Sequence, residues 1–310
     1  MAGITIAVHG GAGPGRPGDN ARRDAREGAL TESLRAGLAV LRKGGSAVDA
    51  AMVAVEVLED AEEFNAGRGS VLTAAGTVEM DAAVADGDGC RAGAVAAVSG
   101  IRHPVAAARA VLAEGRHVLL AGPAAAEFAR EAGLIFETPG WFITERRRRE
   151  AEGVAAGADG AHPPAPEGGS TVGAVTLDRA GHVAAATSTG GRAGQRPGRV
   201  GDSPVIGAGT GADDRTCAVT ATGDGEAFLR ASFAHEVDAQ VRLGGCDLDE
   251  ACQRALARVE ALGGTGGCVA LDRHGRVAMP FTTPVMYRGC ARPSGELWVS
   301  AGPQPLRPVG

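Results

Sequence analysis

Aromatic residues are scarce. They make up 3% of the 310 residues, with a single Tyr and 2 Trp. Ala, Val and Leu must therefore fill any core, which favours close-packed layers over large pockets. No stretch approaches the roughly 20 apolar residues that a membrane span requires. The start, MAGITIAVHGGAGPG, has no basic region followed by a long apolar run, so neither a membrane role nor a secretory signal is expected. Basic stripes interleaved with aromatics are also missing. The net charge of −6 and pI of 5.7 argue against a nucleic-acid partner. The run Arg146-Arg147-Arg148-Arg149 is flanked by Glu145, Glu150 and Glu152 and reads as a solvated helix end. Cysteines at 90, 217, 246, 252, 268 and 290 form no CxxC pair and have no His at metal-ligand spacing. Scattered cysteines of this kind point to buried, reduced thiols in a cytoplasmic protein.

Apolar residues amount to 44% of the chain, enough for a sizeable core in one large domain or two ordinary ones. Ile4 to Val8 alternates like a strand and ends at His9-Gly10-Gly11-Ala12-Gly13, read as a loop. Leu30, Leu34, Leu38 and Leu41 mark one face of a helix that Gly44-Gly45 stops. Ser46 followed by Asp49 resembles a capping box for a second helix, with Val48, Met52 and Val55 on its inner face. Residues 104–132 read as Ala-rich helices. The stretch AEGVAAGADGAHPPAPEGG, 151–169, has no apolar periodicity and is expected to be a flexible tail.

The second part repeats a pattern. Val175 to Ala184 matches Val269 to Ala278, each an apolar pair of runs around an Asp-Arg-x-Gly turn, which signals β-hairpins. Two helical stretches are expected between them, the second with Leu248, Cys252, Leu256, Val259 and Leu262 on one side. Apolar strands need cover on both faces. The expected class is α+β, with two sheets inside and helices outside: a four-layer αββα sandwich.

Metal motifs are absent, and His9 reads as structural. No G-x-S-x-G elbow occurs, and Gly207-Ala208-Gly209-Thr210-Gly211 is only a fragment of a dinucleotide fingerprint. Attention falls on EGGSTVGAV, where the floppy stretch meets a strand at Ser170-Thr171. A threonine hydroxyl is a poor nucleophile unless a base takes its proton. Cutting the chain before Thr171 would supply one, because an α-amino group has a pKa of about 7.7–8.0. Arg199 and Asp202, three residues apart in a Gly-bounded loop, read by themselves as a surface ion pair, although such a loop can also present two opposite charges to an amino acid's α-end.

GGSTVGAVTLD, AAATSTGG, GRVGDSP and TGDGE, with HGGAG, FNAGRGSVLT, VEMDA and AGAVAAVSGIRHPV before them, resemble the plant-type asparaginase and isoaspartyl peptidase family of N-terminal nucleophile hydrolases. The likeness spans almost the whole chain. It implies self-cleavage between Ser170 and Thr171 into fragments 1–170 and 171–310, with Thr171 as nucleophile. By the same resemblance Thr189 tunes the nucleophile and Asn65 organises its surroundings. Arg199 takes the substrate's α-carboxylate, while Asp202 and the Gly225 carbonyl take its ammonium. Thr222 and Gly223 form the oxyanion hole. The resemblance also implies a sodium ion on the backbone carbonyls of Leu58, Glu59, Ala61, Phe64, Ala66 and Arg68, no organic cofactor, and a dimer of cleaved units acting on L-asparagine and β-aspartyl dipeptides. Two departures stand out. Gly169-Ser170 precedes the nucleophile where the family has Gly or Asp, which bears on the rate of self-cleavage. Phe281-Thr282-Thr283-Pro284 replaces an Asn-Thr-Glu-Gly pattern, which bears on substrate preference. A glycosylasparaginase-type amidase, a threonine endopeptidase of the same fold and an uncleaved, noncatalytic module binding Asp-like ligands are the alternatives.

Overall fold

The computed structural model describes residues 3–15, 20–156, 171–291 and 294–309. Strand β1 (Thr5–Gly13) is followed by helices α1 (Asn20–Arg42) and α2 (Ala47–Asp60), then by strands β2 (Met80–Asp86) and β3 (Arg91–Val98). Next come α3 (Pro104–Glu114), β4 (Leu119–Ala121), α4 (Gly122–Glu131), α5 (Pro139–Phe142) and α6 (Glu145–Ala156). The remainder runs β5 (Val172–Leu177), β6 (Val183–Thr189), β7 (Thr210–Ala212), β8 (Cys217–Gly223), α7 (Gly225–Ala231), α8 (Phe233–Arg242) and α9 (Leu248–Ala261). It closes with β9 (Gly266–Asp272), β10 (Val277–Ala278), β11 (Val285–Ala291), β12 (Leu297–Gly302) and β13 (Arg307–Val309).

The helices form where the apolar stripes and caps demand them. Leu30, Leu34, Leu38 and Leu41 of α1 are all buried. Ser46 caps α2 by accepting the Asp49 N–H at 3.1 Å, and Asp247 caps α9 by accepting that of Glu250 at 2.9 Å. Among the described residues the strands make a nine-stranded sheet, β13-β12-β11-β1-β5-β6-β2-β3-β4, and a four-stranded one, β10-β9-β8-β7. The two echoed segments are hairpins, turning at Gly181 and Gly275 with positive φ. They lie in different sheets.

One apolar core separates α1, α2 and α3 from the larger sheet, and a second separates α8 and α9 from β8 and β9. A third, built on Ala7, Val175, Ala185, Ala218 and Val269, lies where β1, β5 and β6 face β8 and β9. Its small side chains let the sheets approach closely. No helix among the described residues is long and apolar enough to cross a membrane.

Five expectations need correction. His9 to Gly13 is not a loop: β1 continues through Gly13 over a bulge between His9 and Gly11, which the positive φ of Gly11 permits. The stretch expected to lack structure from 151 is helical as far as Ala156, because α6 extends into it. Residues 157–170, including Ser170, lie outside the described residues. Three helices, not two, separate the hairpins, since Ser232 in the left-handed region breaks α7 from α8. Cys217, Cys252 and Cys268 are buried as expected, but Cys90 is exposed and Cys246 and Cys290 are intermediate. The arginine run is not wholly solvated either. The Arg147 side chain has 0% exposure. It donates through Nε to the Gly69 carbonyl, through Nη2 to the Phe64 carbonyl at 3.3 Å, and through Nη1 to Glu150 at 2.7 Å.

Candidate active site

Strands β2, β6 and β5 are hydrogen-bonded neighbours, so their side chains line up in rows across the sheet. Asp81 is opposite Thr189, and Val172 is opposite Ser188. One step beyond the Val172 pair, Thr171 comes beside Thr189 on the face turned toward the four-stranded sheet. That sheet brings Thr222 and Gly223 at the end of β8. Thr171, Thr189 and Thr222 are all at least 96% buried.

A pocket is lined by Thr171, Thr189, Gly191, Arg192, Arg199, Gly201, Asp202, Ser203, Gly223, Asp224 and Gly225. The structure thus brings Thr171, Thr189, Arg199, Asp202, Gly223 and Gly225 together around one depression. Gly225 leaves room for both charged side chains beside it. A Cβ there would fall 2.8 Å from Arg199 Nη2 and 2.9 Å from Asp202 Oδ1. Arg199 Nε donates to Glu226 at 3.0 Å, and one Nη donates to Gln195 at 3.4 Å. Asp202 is buried, and its Oδ2 has no hydrogen-bond partner. Burial pushes its carboxyl up to about 7, opposed by its own backbone N–H and by Arg199, and reinforced by Asp81 and Glu226. A cation delivered to that oxygen would relieve the burial cost.

Gly223 faces a different constraint. With φ of 149°, a side chain there would lie 2.3 Å from the Thr265 carbonyl, so only glycine lets β8 close on the start of β9. The unusual Phe281-Thr282 segment backs this corner: the Thr282 amide donates to the Gly266 carbonyl at 2.7 Å. Thr222 Oγ1 accepts the Ala12 N–H at 3.2 Å. Asn65 is fully buried and holds two segments together, donating to the Gly191 carbonyl at 2.8 Å and accepting the Val71 N–H at 2.9 Å. Thr189 Oγ1 accepts the Gly191 N–H at 3.1 Å, so Asn65 and Thr189 grip the same loop.

Asp81, Glu226 and Gln195 were missed by sequence reasoning. Asp81 accepts the Ala97 N–H at 2.8 Å and the Gly201 N–H at 3.4 Å, and burial pushes it up to about 6. It thereby ties the Arg199–Asp202 loop to β2. The one available signal was its place in VEMDA. Glu226 closes the TGDGE motif, though its bond to Arg199, 27 residues before it, is not displayed by sequence; Gln195, 4 residues before Arg199, belongs to no motif.

Of the carbonyls assigned to sodium, those of Leu58, Glu59 and Ala61 accept backbone N–H groups of Ala61, Arg68 and Phe64, and that of Phe64 accepts from Arg147. A carbonyl oxygen keeps a second lone pair, and an all-oxygen set suits a hard cation, so the loop fits one; at Phe64 the guanidinium competes. Elsewhere, Asp88, His182 and Asp214 bring ligand atoms within 4.8 Å of one another. His182 Nδ1 and Asp214 are already bonded to each other at 2.7 Å.

Similarity to known proteins covers almost the whole chain. A family model described as Asparaginase matches residues 2–299. The chain is 44% identical to an isoaspartyl peptidase of Salmonella typhimurium over 91% of this chain and 93% of that protein. It is also 44% identical to an isoaspartyl peptidase of Escherichia coli, over 93% and 92%. It is 39% identical to a plant-type L-asparaginase of Pyrobaculum calidifontis, over 94% and 98%. With the match running through every strand of the pocket, the chain belongs to the plant-type L-asparaginase and isoaspartyl peptidase family of the N-terminal nucleophile hydrolase superfamily.

Proposed function

We propose that the chain is a self-activating hydrolase of L-asparagine and of β-aspartyl dipeptides, with Thr171 as its nucleophile. The observation that carries this is the pocket in which Thr171 faces a guanidinium and a buried, unpartnered carboxylate oxygen, with Gly225 leaving room beside both. An α-amino acid's carboxylate and ammonium complement that pair. The two sheets with helices on their outer faces are read as the four-layer αββα sandwich.

Maturation begins when Thr171 Oγ attacks the Ser170 carbonyl carbon. The bond to the Thr171 nitrogen breaks, leaving an ester and an α-amine, and water then hydrolyses the ester. The fragments stay together, because β5 of the second lies between β1 and β6 and is zipped into the larger sheet. In turnover, the new amine takes the Thr171 hydroxyl proton and Oγ attacks the substrate's side-chain carbonyl. The Thr222 hydroxyl and Gly223 N–H stabilise the oxyanion. The leaving amine departs with a proton, and water releases aspartate from Thr171. Asn65 and Thr189 hold the loop at Gly191 and orient the nucleophile. A sodium ion on the carbonyls of Leu58, Glu59, Ala61, Phe64, Ala66 and Arg68 would brace the Asn65 loop and supply no chemical step. The mature protein is proposed to pair as a dimer of cleaved units, which light scattering tests.

Thr171→Ala decides the reading. Mass spectrometry of the parent protein is expected to show two fragments beginning at 1 and 171 and activity on β-Asp-Leu; the variant is expected to remain one inactive chain. An intact parent chain that still hydrolyses β-Asp-Leu would refute the mechanism, and an intact parent that only binds aspartate would favour the noncatalytic module.

A further inference from the structure

A second row of residues lies beneath the first. Successive side chains on one face of a strand are two residues apart. Gly173, Thr187 and Thr220 therefore stand one step below Thr171, Thr189 and Thr222. Gly173 pairs with Thr187 on one side and with His9 on the other. His9 Nε2 is 2.9 Å from Thr220 Oγ1, which is 2.8 Å from Thr187 Oγ1, which is 2.6 Å from Thr210 Oγ1. Thr210 Oγ1 is in turn 2.9 Å from the Ser203 carbonyl. His9, Thr187, Thr210 and Thr220 all have 0% exposure. The nucleophile's strand lies directly on this chain: a Cβ at Gly173 would be 2.1 Å from Thr220 Oγ1 and 2.5 Å from His9 Nε2.

A carbonyl only accepts, and a threonine hydroxyl carries one proton. Thr210 Oγ1 is placed to donate to Thr187 Oγ1 and to the Ser203 carbonyl, and its one proton serves one of them at a time. The imidazole is neutral: burial lowers it to about 3, opposed by a hydrogen bond to the Thr171 backbone. Its Nδ1 has no hydrogen bond.

We propose that His9, Thr220, Thr187 and Thr210 are positioning residues for the hydrolysis, joined in a buried hydroxyl chain that sets the nucleophile and oxyanion threonines against the Asp202 loop. The chain crosses both sheets: β1 and β6 belong to the larger, β7 and β8 to the smaller. It ends on the carbonyl next to Asp202. Its links fix the spacing between groups that must meet in the transition state, where a misplacement of about 1 Å costs on the order of 100-fold. The proposal rests on the reaction assigned above.

Two measurements test it. In uniformly 15N-histidine-labelled protein, His9 is expected to show a single neutral form with no titration between about pH 5 and 9. Thr220→Val removes one hydroxyl at nearly constant volume; kcat on β-Asp-Leu is expected to fall about 30-fold or more with KM within about twofold, a transition-state loss. Thr220→Ser keeps the hydroxyl and is expected to recover kcat to within about threefold of the parent. A titrating His9, a serine variant as slow as the valine one, or a valine variant with parental kcat would each overturn the proposal. If Thr220→Val does not fold, the spectrum and the serine variant decide. If the parent protein turns over no β-aspartyl substrate, the reaction assignment falls while the spectrum still decides the chain.

Discussion

Gly225→Ala separates substrate recognition from chemistry at one atom. Gly225 is the first residue of α7 and its φ is not positive, so alanine fits the backbone. The added methyl would lie 2.8 Å from Arg199 Nη2 and 2.9 Å from Asp202 Oδ1. Both must retreat by roughly half an ångström to reach ordinary van der Waals separation. Asp202 is enclosed, so the guanidinium moves, and the two charges no longer match a zwitterion. A hydrogen bond to a charged group contributes about 1.5–3 kcal/mol. Losing one is expected to raise KM about 10- to 100-fold, with a much smaller change in kcat because Thr171, Thr222 and Gly223 are untouched. Stability should move the other way or not at all, since alanine is favoured over glycine in helix interiors by up to about 1 kcal/mol and by less at a first turn. Steady-state kinetics on β-Asp-Leu, competitive inhibition by L-aspartate and a thermal melt read all three. An unchanged KM together with unchanged inhibition by aspartate would show that Arg199 and Asp202 do not hold the α-end.

The raised Asp202 pKa of about 7 fixes a pH dependence: the ammonium needs the ionised carboxylate, so binding of L-aspartate should be strongest above pH 7 and weaken about tenfold per unit well below it, a profile that Asp202→Asn abolishes. The same shift acts on folding. Stability from this group is fully present below its unfolded value and is lost as pH rises through about 7, so Asp202→Asn should raise Tm at pH 8 relative to the parent and do so less at pH 5. Arg147→Met leaves Glu150 and two carbonyls without their buried donor and should cost about 3 kcal/mol, seen as a fall in Tm of several degrees. Arg149→Ala, whose side chain is 75% exposed, should shift stability by no more than about 0.5 kcal/mol.

Local periodicity carried much of the fold. The leucine stripe of α1, the Ser46 and Asp49 cap and both Asp-Arg-x-Gly hairpins depend on contacts within a few residues or on a single buried face, and they are where the pattern put them. The extension of β1 through His9 to Gly13 was not legible, because glycines read as a break unless their partners across the sheet are known. The burial of Arg147 was hidden for a similar reason: its acceptors Phe64 and Gly69 are about 80 residues away in sequence.

At the site the division is sharper. Residue types and their short motifs determined which groups could do chemistry here: a threonine at a strand start, an arginine and an aspartate in a glycine-bounded loop, and glycines where side chains would be refused. Only the tertiary structure decided that Asp81, Thr189 and Thr171 share one row, that Glu226 bonds Arg199, and that Gly225 leaves room for two opposite charges beside it. Strand pairing and sheet stacking are long-range. They place residues from 9 to 225 within a few ångströms, and no local preference in the chain encodes that distance.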